Sequence, residues 1–307
     1  MNKPSFGRGV SFAILAYLLW GVLPLYWKLL AAVNPLHILA FRILFSLLLV
    51  SCVLFFYKNF SWLNIFKNKK EGLLLILAAL IISFNWGLYI WAVNMGHTIE
   101  AALGYYINPL VSVVLGLCVF REKMNLLQTL AFMLAVIGVL ILTVFSGAPP
   151  WISLGLAMSF GLYGLLKKTI RLSALESLGS ETLIASPLSL ILLFGSFGTG
   201  GRQGLSYLTE LPALTLILLP VCGLVTTLPL YPFAKGVKLL PLSTIGFIQF
   251  LAPTLTFLAG VFVFRESFPP RNYIVFGFIW TAVILYIISL RRSYGTTISD
   301  AAPPLRE

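Results

Sequence analysis

Residues 109–124 read PLVSVVLGLCVFREKM, and residues 253–268 read PTLTFLAGVFVFRESF. At a constant offset of 144, Pro109 matches Pro253 and Gly116 matches Gly260, while Val119-Phe120-Arg121-Glu122 matches Val263-Phe264-Arg265-Glu266. A second match lies near the starts of the halves: Trp20-Gly21 falls on Phe160-Gly161 at an offset of 140, and Lys28 then falls on Lys168. The chain reads as two related halves, 1–148 and 149–292, followed by a tail over 293–307.

The surroundings of these repeats set their environment. Of 307 residues, 59% are hydrophobic and 10% charged, and the mean hydropathy is +0.98. A soluble domain carries roughly a quarter charged residues, so this chain lacks the polar surface to cover a water-facing globule. Its apolar residues come in blocks of the length a bilayer span needs, about 20 residues. Turn signals bound these blocks near 10–30, 36–57, 72–94, 98–120, 126–145, 151–167, 175–198, 211–234, 241–264 and 273–290. The sixth is short, and the eighth is broken by Pro220, Pro229 and Pro232. The reading is an all-α integral membrane protein whose ten transmembrane helices form two inverted five-helix repeats. An odd number of spans per half turns the second copy over, so the two Arg-Glu pairs leave the membrane on opposite faces. Lys3 and Arg8 precede an apolar run without a small-residue cleavage site, so that run reads as the first span and not as a signal peptide.

The formal charge of +12 invites a nucleic-acid reading, but the basic residues sit one to four at a time in short loops, with no stripe and no reading motif. No nucleic acid partner is expected. Assigned to the two faces of ten spans, sixteen lysines and arginines fall on one side and three on the other. That asymmetry places both termini in the cytoplasm. Cys52, Cys118 and Cys222 lie inside apolar spans, without disulfide or metal-ligand spacing.

Ionisable groups inside lipid are costly, so each needs a reason. Arg42 stands about six residues into the second span, roughly 10 Å deep at 1.5 Å per residue. Glu181 takes the repeat-related place in the seventh span, entering from the opposite face. The two could pair, or Arg42 could hold an anionic substrate and Glu181 a proton for coupling. The third and fourth spans carry the densest polar and aromatic set, from which Asn85, Trp86, Tyr89, Tyr105, Tyr106 and Asn108 are the candidates for substrate binding. Gln249 joins them, because Tyr105 and Tyr106 pair by repeat with Gln249 and Phe250, beside Pro109 and Pro253. A proline frees a carbonyl one turn earlier, an irregularity tolerated where a helix lines protein or a cavity. A pocket between the fourth and ninth spans follows. Trp91 and Trp151 fit an interfacial aromatic belt, which could extend to Trp86. His37 and His97 have no partner at ligand spacing, and Glu100 reads as solvated, so no metal is expected. No phosphate loop, nucleophile elbow or H-E-x-x-H occurs. Neither a cofactor nor a catalytic group is expected.

Three stretches carry a resemblance: AYLLWGVLPLYWKLL (16–30), NWGLYIWAVNMGHTIEAALGYYINPLVSVVLGLCVFRE (85–122) and PLSTIGFIQFLAPTLTFLAGVFVFRES (241–267). They resemble the RarD branch of the EamA family, in the drug/metabolite transporter superfamily, over nearly all of the first 290 residues. The resemblance implies ten helices and a central cavity from the first, third, fourth, sixth, eighth and ninth spans. It also implies secondary transport in the bacterial cytoplasmic (inner) membrane. The branch name is tied to chloramphenicol sensitivity, which implies drug or metabolite movement without a substrate. The branch often has His before the Arg of the second span, where this chain has Phe41. The leading expectation is an exporter of small metabolites or drugs, with a small-molecule substrate and the lipid bilayer as partners and a homodimer as a further option. An uptake permease, a membrane enzyme acting on a lipid-linked substrate, and a scaffold are the alternatives.

Overall fold

Backbone donors and acceptors left open in hydrocarbon cost several kcal/mol each, so apolar blocks of this length satisfy themselves as helices. In a computed structural model, residues 3–63, 67–95, 97–146, 151–194, 205–263, 265 and 271–299 are described. They form eleven α-helices: α1 (Lys3–Leu29), α2 (Pro35–Phe56), α3 (Lys69–Asn94), α4 (Thr98–Val119), α5 (Leu126–Ser146), α6 (Trp151–Thr169), α7 (Ala174–Phe194), α8 (Ala213–Leu239), α9 (Leu242–Gln249), α10 (Leu251–Phe262) and α11 (Arg271–Ser299). Glu266, half of the second Arg-Glu pair, lies outside the described residues, as does the end of the tail.

Side chains close several helix starts that the turn signals marked. The Asn34 side chain accepts from Leu36 N at 2.9 Å ahead of Pro35. Asn125 and Gln128 bond each other's backbone N–H at 3.0 Å in a capping box that starts α5. Ser173 and Glu176 do the same for α7.

Among the described residues, nine segments are long and apolar enough to cross a membrane, α9 and α10 together making one. The helix missing from that set is α6. Its nineteen residues include three glycines, two serines and Lys167-Lys168 in the last turn. Its neighbours explain the polarity: α6 packs on α4, α3 and α8, and Ser153, Ser159, Gly161 and Gly164 are buried, which leaves only a narrow exposed apolar stripe of Trp151, Leu154 and Met158.

Prolines act differently from the expectation. Pro220, Pro229 and Pro232 leave α8 continuous, because a helix in hydrocarbon has no solvent to take over its backbone bonds. The break falls instead at Phe250, between α9 and α10. Pro253 lacks the N–H that would have bonded the Gln249 carbonyl, the last residue of α9. Helix α11 runs to Ser299, seven residues into the expected tail.

Polarity is turned outward-in. Ser153, Ser177, Ser180, Ser189 and Ser289 are fully buried, while Leu48, Leu140, Ile191 and Ile284 are more than half exposed. Small residues let helices approach closely where lipid offers no hydrophobic drive. α1 packs on α8 and α10, α6 on α3 and α4, α2 on α7 and α8, α7 on α3, α4 on α9, and α5 on α11. Two crossings are tight enough to require glycine. A methyl group on Gly223 of α8 would sit 2.3 Å from the Phe45 carbonyl carbon of α2, and one on Gly246 of α9 would sit 2.5 Å from the Pro109 carbonyl oxygen of α4. Gly223→Ala is expected to cost about 1–3 kcal/mol, the usual range for overpacking, seen as a lower melting temperature in detergent. Gly277→Ala, where nothing lies within 4 Å, is expected to hold or raise it.

Candidate functional site

The loops joining α1 to α2 and α3 to α4 lie at one end of the bundle, and the α6–α7 link, preceded by Lys167 and Lys168 in the last turn of α6, lies at the other. Toward the first end, α1, α2, α3, α4, α6, α9 and α10 enclose a cavity of about 370 Å³. Arg42, Asn85, Trp86, Tyr89, Tyr105, Tyr106, Asn108 and Gln249 all line it. The structure therefore brings the eight expected substrate residues to one space, although they come from four helices.

Arg42 is the cation in that wall. Its Nε donates to Thr226 Oγ1 at 3.0 Å. Its Cζ lies 4.8 Å from the Trp27 ring centroid and 4.6 Å from that of Trp86. Both contacts are within cation–π range, about 6 Å. Among the described residues no carboxylate comes within 4.0 Å of it. The planar fork is thus held on one edge, and its terminal N–H groups are left without an ionic partner. Tyr89 and Tyr105 meet edge to face at 5.8 Å on the same wall.

The remaining polar residues are anchored to backbone or to each other. The Asn85 side chain donates to Leu156 O at 2.9 Å and Ser159 Oγ at 2.8 Å, joining α3 to α6. Gln249 Oε1 accepts from Tyr17 and from Ser112, each at 3.3 Å. Tyr106 donates to the Pro253 carbonyl at 3.5 Å, at the helix break. Asn108 Oδ1 is buried without a hydrogen-bond partner among the described residues.

Below the cavity, aromatic rings close the bundle. Trp20 packs against Tyr17, Phe160 and Phe233 at 5.3, 5.6 and 5.3 Å between centroids. Tyr163 stacks on Phe233 at 6.1 Å. Sequence reasoning passed over Tyr17, Trp27 and Phe160 as cavity residues. The signal was present in the Trp20-Gly21 and Phe160-Gly161 match, since Trp20 and Phe160 meet at the floor.

Glu181 is not in the cavity and does not pair with Arg42. Its Oε1 is 2.7 Å from Lys167 Nζ, and both side chains are at most 4% exposed. Ser177 Oγ bonds the same oxygen at 2.6 Å, and the Tyr163 hydroxyl donates to Oε2 at 2.9 Å. Glu181 and Arg42 enter from opposite ends, and the aromatic floor lies between them. His37 and Glu100 also find partners: His37 Nδ1 meets the Tyr207 hydroxyl at 2.9 Å, and His97 meets Glu100 at 2.8 Å, with Glu100 buried and not solvated. Trp91 and Trp151 pair at 5.6 Å and stay half exposed, as an interfacial belt requires.

The Arg-Glu motif acquires a structural meaning. Arg121 and Arg265 both adopt positive φ, 51° and 55°. After Arg121 the Glu122 carboxylate accepts from Leu242 N at 2.6 Å and Ser243 N at 2.9 Å, the open donors at the start of α9. This first copy of the motif follows the end of α4 and caps the start of α9.

Residues 7–144 match the model of the EamA-like transporter family. Over 295 residues the chain is 42% identical to the uncharacterized transporter YojE of Bacillus subtilis, covering 94% of this chain and 96% of that one. It is 40% identical over 282 residues to the protein RarD of Streptomyces exfoliatus, covering 90% and 87%. A protein of known crystal structure, 16% identical, shares the fold with a TM-score of 0.69 over 95% of this chain and 99% of its own. With relatives this similar along almost its full length, the chain belongs to the EamA-like transporter family and is a multi-pass membrane protein.

Proposed function

We propose that this protein is a secondary transporter that exports small amphiphilic metabolites or drugs carrying an anionic group, by alternating access across the bacterial cytoplasmic membrane. The observation that carries the reading is Arg42 in the cavity wall. It is a cation fixed against Trp27 and Trp86, with no carboxylate within 4.0 Å of it among the described residues. Aromatic rings around it suit an apolar body, and a guanidinium edge suits a carboxylate held by two parallel bonds. The cavity's size falls in the range of small-molecule sites, about 300–1,000 Å³.

The architecture proposed with it is ten spans, α9 and α10 forming the ninth, in two inverted five-helix halves (1–148 and 149–292) with both termini cytoplasmic. Helix contacts support the repeat, because exchanging the halves maps the packing onto itself. The pair α1–α8 becomes α6–α3, α1–α10 becomes α6–α4, and α2–α8 becomes α7–α3. The matching positive φ of Arg121 and Arg265 follows the same rule. Inverted halves that exchange conformation open one site to alternate sides. Proton coupling is assigned to Glu181, the carboxylate buried against Lys167, Ser177 and Tyr163.

The test compares small molecules in the medium of cells making wild-type protein, Arg42→Ala, Arg42→Lys or none, at matched membrane levels. A compound accumulating outside only with wild type names the substrate class, and both variants are expected to lose at least about tenfold, since one charge-assisted bond contributes about 1.5–3 kcal/mol. Lysine does not rescue a two-bond contact. Media identical to the empty control, or depletion of a compound, would turn the reading to no transport or to uptake. Once a substrate is in hand, Glu181→Gln is expected to flatten the pH dependence of its export; an unchanged profile removes Glu181 from coupling.

A further inference from the structure

Arg42 and Glu181 stand at corresponding places in the sequence repeat, and so do their neighbours. Glu181 stands 139 positions after Arg42, and Lys167 stands 140 after Trp27. In the first half, α1 and α2 place Trp27 against Arg42 with the cavity open beside them, at 4.8 Å. In the second half, α6 and α7 place Lys167 against Glu181 at 2.7 Å, both side chains buried and outside the cavity that Arg42 lines. Tyr89 on the open wall and Phe233 under the floor are likewise 144 apart. One end of the bundle therefore shows a cation awaiting an anion. The other shows a cation already holding one.

We infer that Lys167 is a second binding station for the substrate's anionic group, on the cytoplasmic side, and that Glu181 is its internal occupant while that side is closed. The inference rests on the alternating-access reading above. When the halves exchange conformation, the Lys167–Glu181 pair takes the open arrangement now seen around Arg42, and the ammonium becomes reachable from the cytoplasm. Glu181 then competes with the arriving carboxylate for Lys167. The contacts around the pair fit this use. Ser177 bonds both Lys167 Nζ and Glu181 Oε1, at 2.7 and 2.6 Å, so it can keep either member company. Tyr163 ties Glu181 Oε2 to the ring that stacks on Phe233, which couples the pair's state to the floor.

Gly164 offers a reporter one turn before Lys167, because a side-chain carbon there meets Phe233 only at 3.6 Å. In protein with Cys52, Cys118 and Cys222 replaced by alanine, Gly164→Cys would be labelled in inside-out vesicles. The probes are membrane-impermeant methanethiosulfonates, one carrying a sulfonate and one a trimethylammonium. From the cytoplasmic face the sulfonate reagent is expected to react faster by about tenfold, the scale of local ion concentration by a charged cleft. The difference should widen in Glu181→Gln and fall sharply in the Lys167→Gln/Glu181→Gln double variant, which removes both members of the pair while Lys168 and Lys238 stay on their carbonyls. Should Glu181→Gln fail to reach the membrane, wild type and the double variant decide alone. A reporter that neither reagent reaches, or that both reach equally in wild type, overturns the second station. Ala102→Cys in the open cavity, labelled from the outer face, separates the two ideas. If it prefers sulfonate through Arg42 while Gly164→Cys stays unreachable, the outer site stands and the inner one falls. If neither position reacts from either face, alternating access falls with it.

Discussion

A guanidinium held several residues inside a hydrocarbon-thick bundle is tolerable only when its charge and its N–H groups are met. That need organises the cavity end of this protein. Thr226 of α8 takes the Nε bond, and Trp27 of α1 and Trp86 of α3 cover the cation, so one side chain of α2 fixes three other helices. The distance from Arg42 to Thr226 depends in turn on the crossing one turn away, where Gly223 lies against the backbone of Phe45 and its carbonyl accepts from Ser46 at 3.1 Å. A glycine with no ligand contact thereby sets the reach of the residue that carries the site.

The basic end uses its charges differently. Lys168 donates to the Leu240 and Val237 carbonyls, and Lys238 to the Leu172 carbonyl, so the α6–α7 link and the α8–α9 turn are stitched to each other. Glu71 accepts from Arg171 N and Leu172 N at the same place. These links use open carbonyls and N–H groups at helix ends. A count of basic residues by loop treats the lysines as a solvated charge layer, and several of them are mortar.

Much of this was legible from spacing. Apolar block length marked the helices, and the density of Asn, Tyr and Trp across the third and fourth spans pointed to residues that do share one cavity. What escaped was pairing that depends on which helices become neighbours. Lys167 and Lys168 are adjacent in sequence, yet the two point apart on α6, one into the Glu181 pair and one to the α8–α9 turn. Trp27 and Thr226 carry no signal by themselves, since any of seven tryptophans could have met Arg42. Proline content misplaced the break, because counting three prolines in α8 says nothing about whether a neighbour absorbs them, whereas the single Pro253 strands a carbonyl at a helix junction.

The polarity of α6 has a consequence for how the protein is made. Translocon-inserted helices are judged largely on their own apolarity, and lysine is among the most disfavoured residues there. α6 combines two lysines with glycines that fit only against partners: Gly161 against Val111 of α4, Gly155 against Leu88 of α3. Those partners belong to the first half of the chain and emerge from the ribosome earlier. In the proposed two-half architecture the second half is therefore not a free-standing module: α6, its first helix, packs on a surface that the earlier helices α3 and α4 supply.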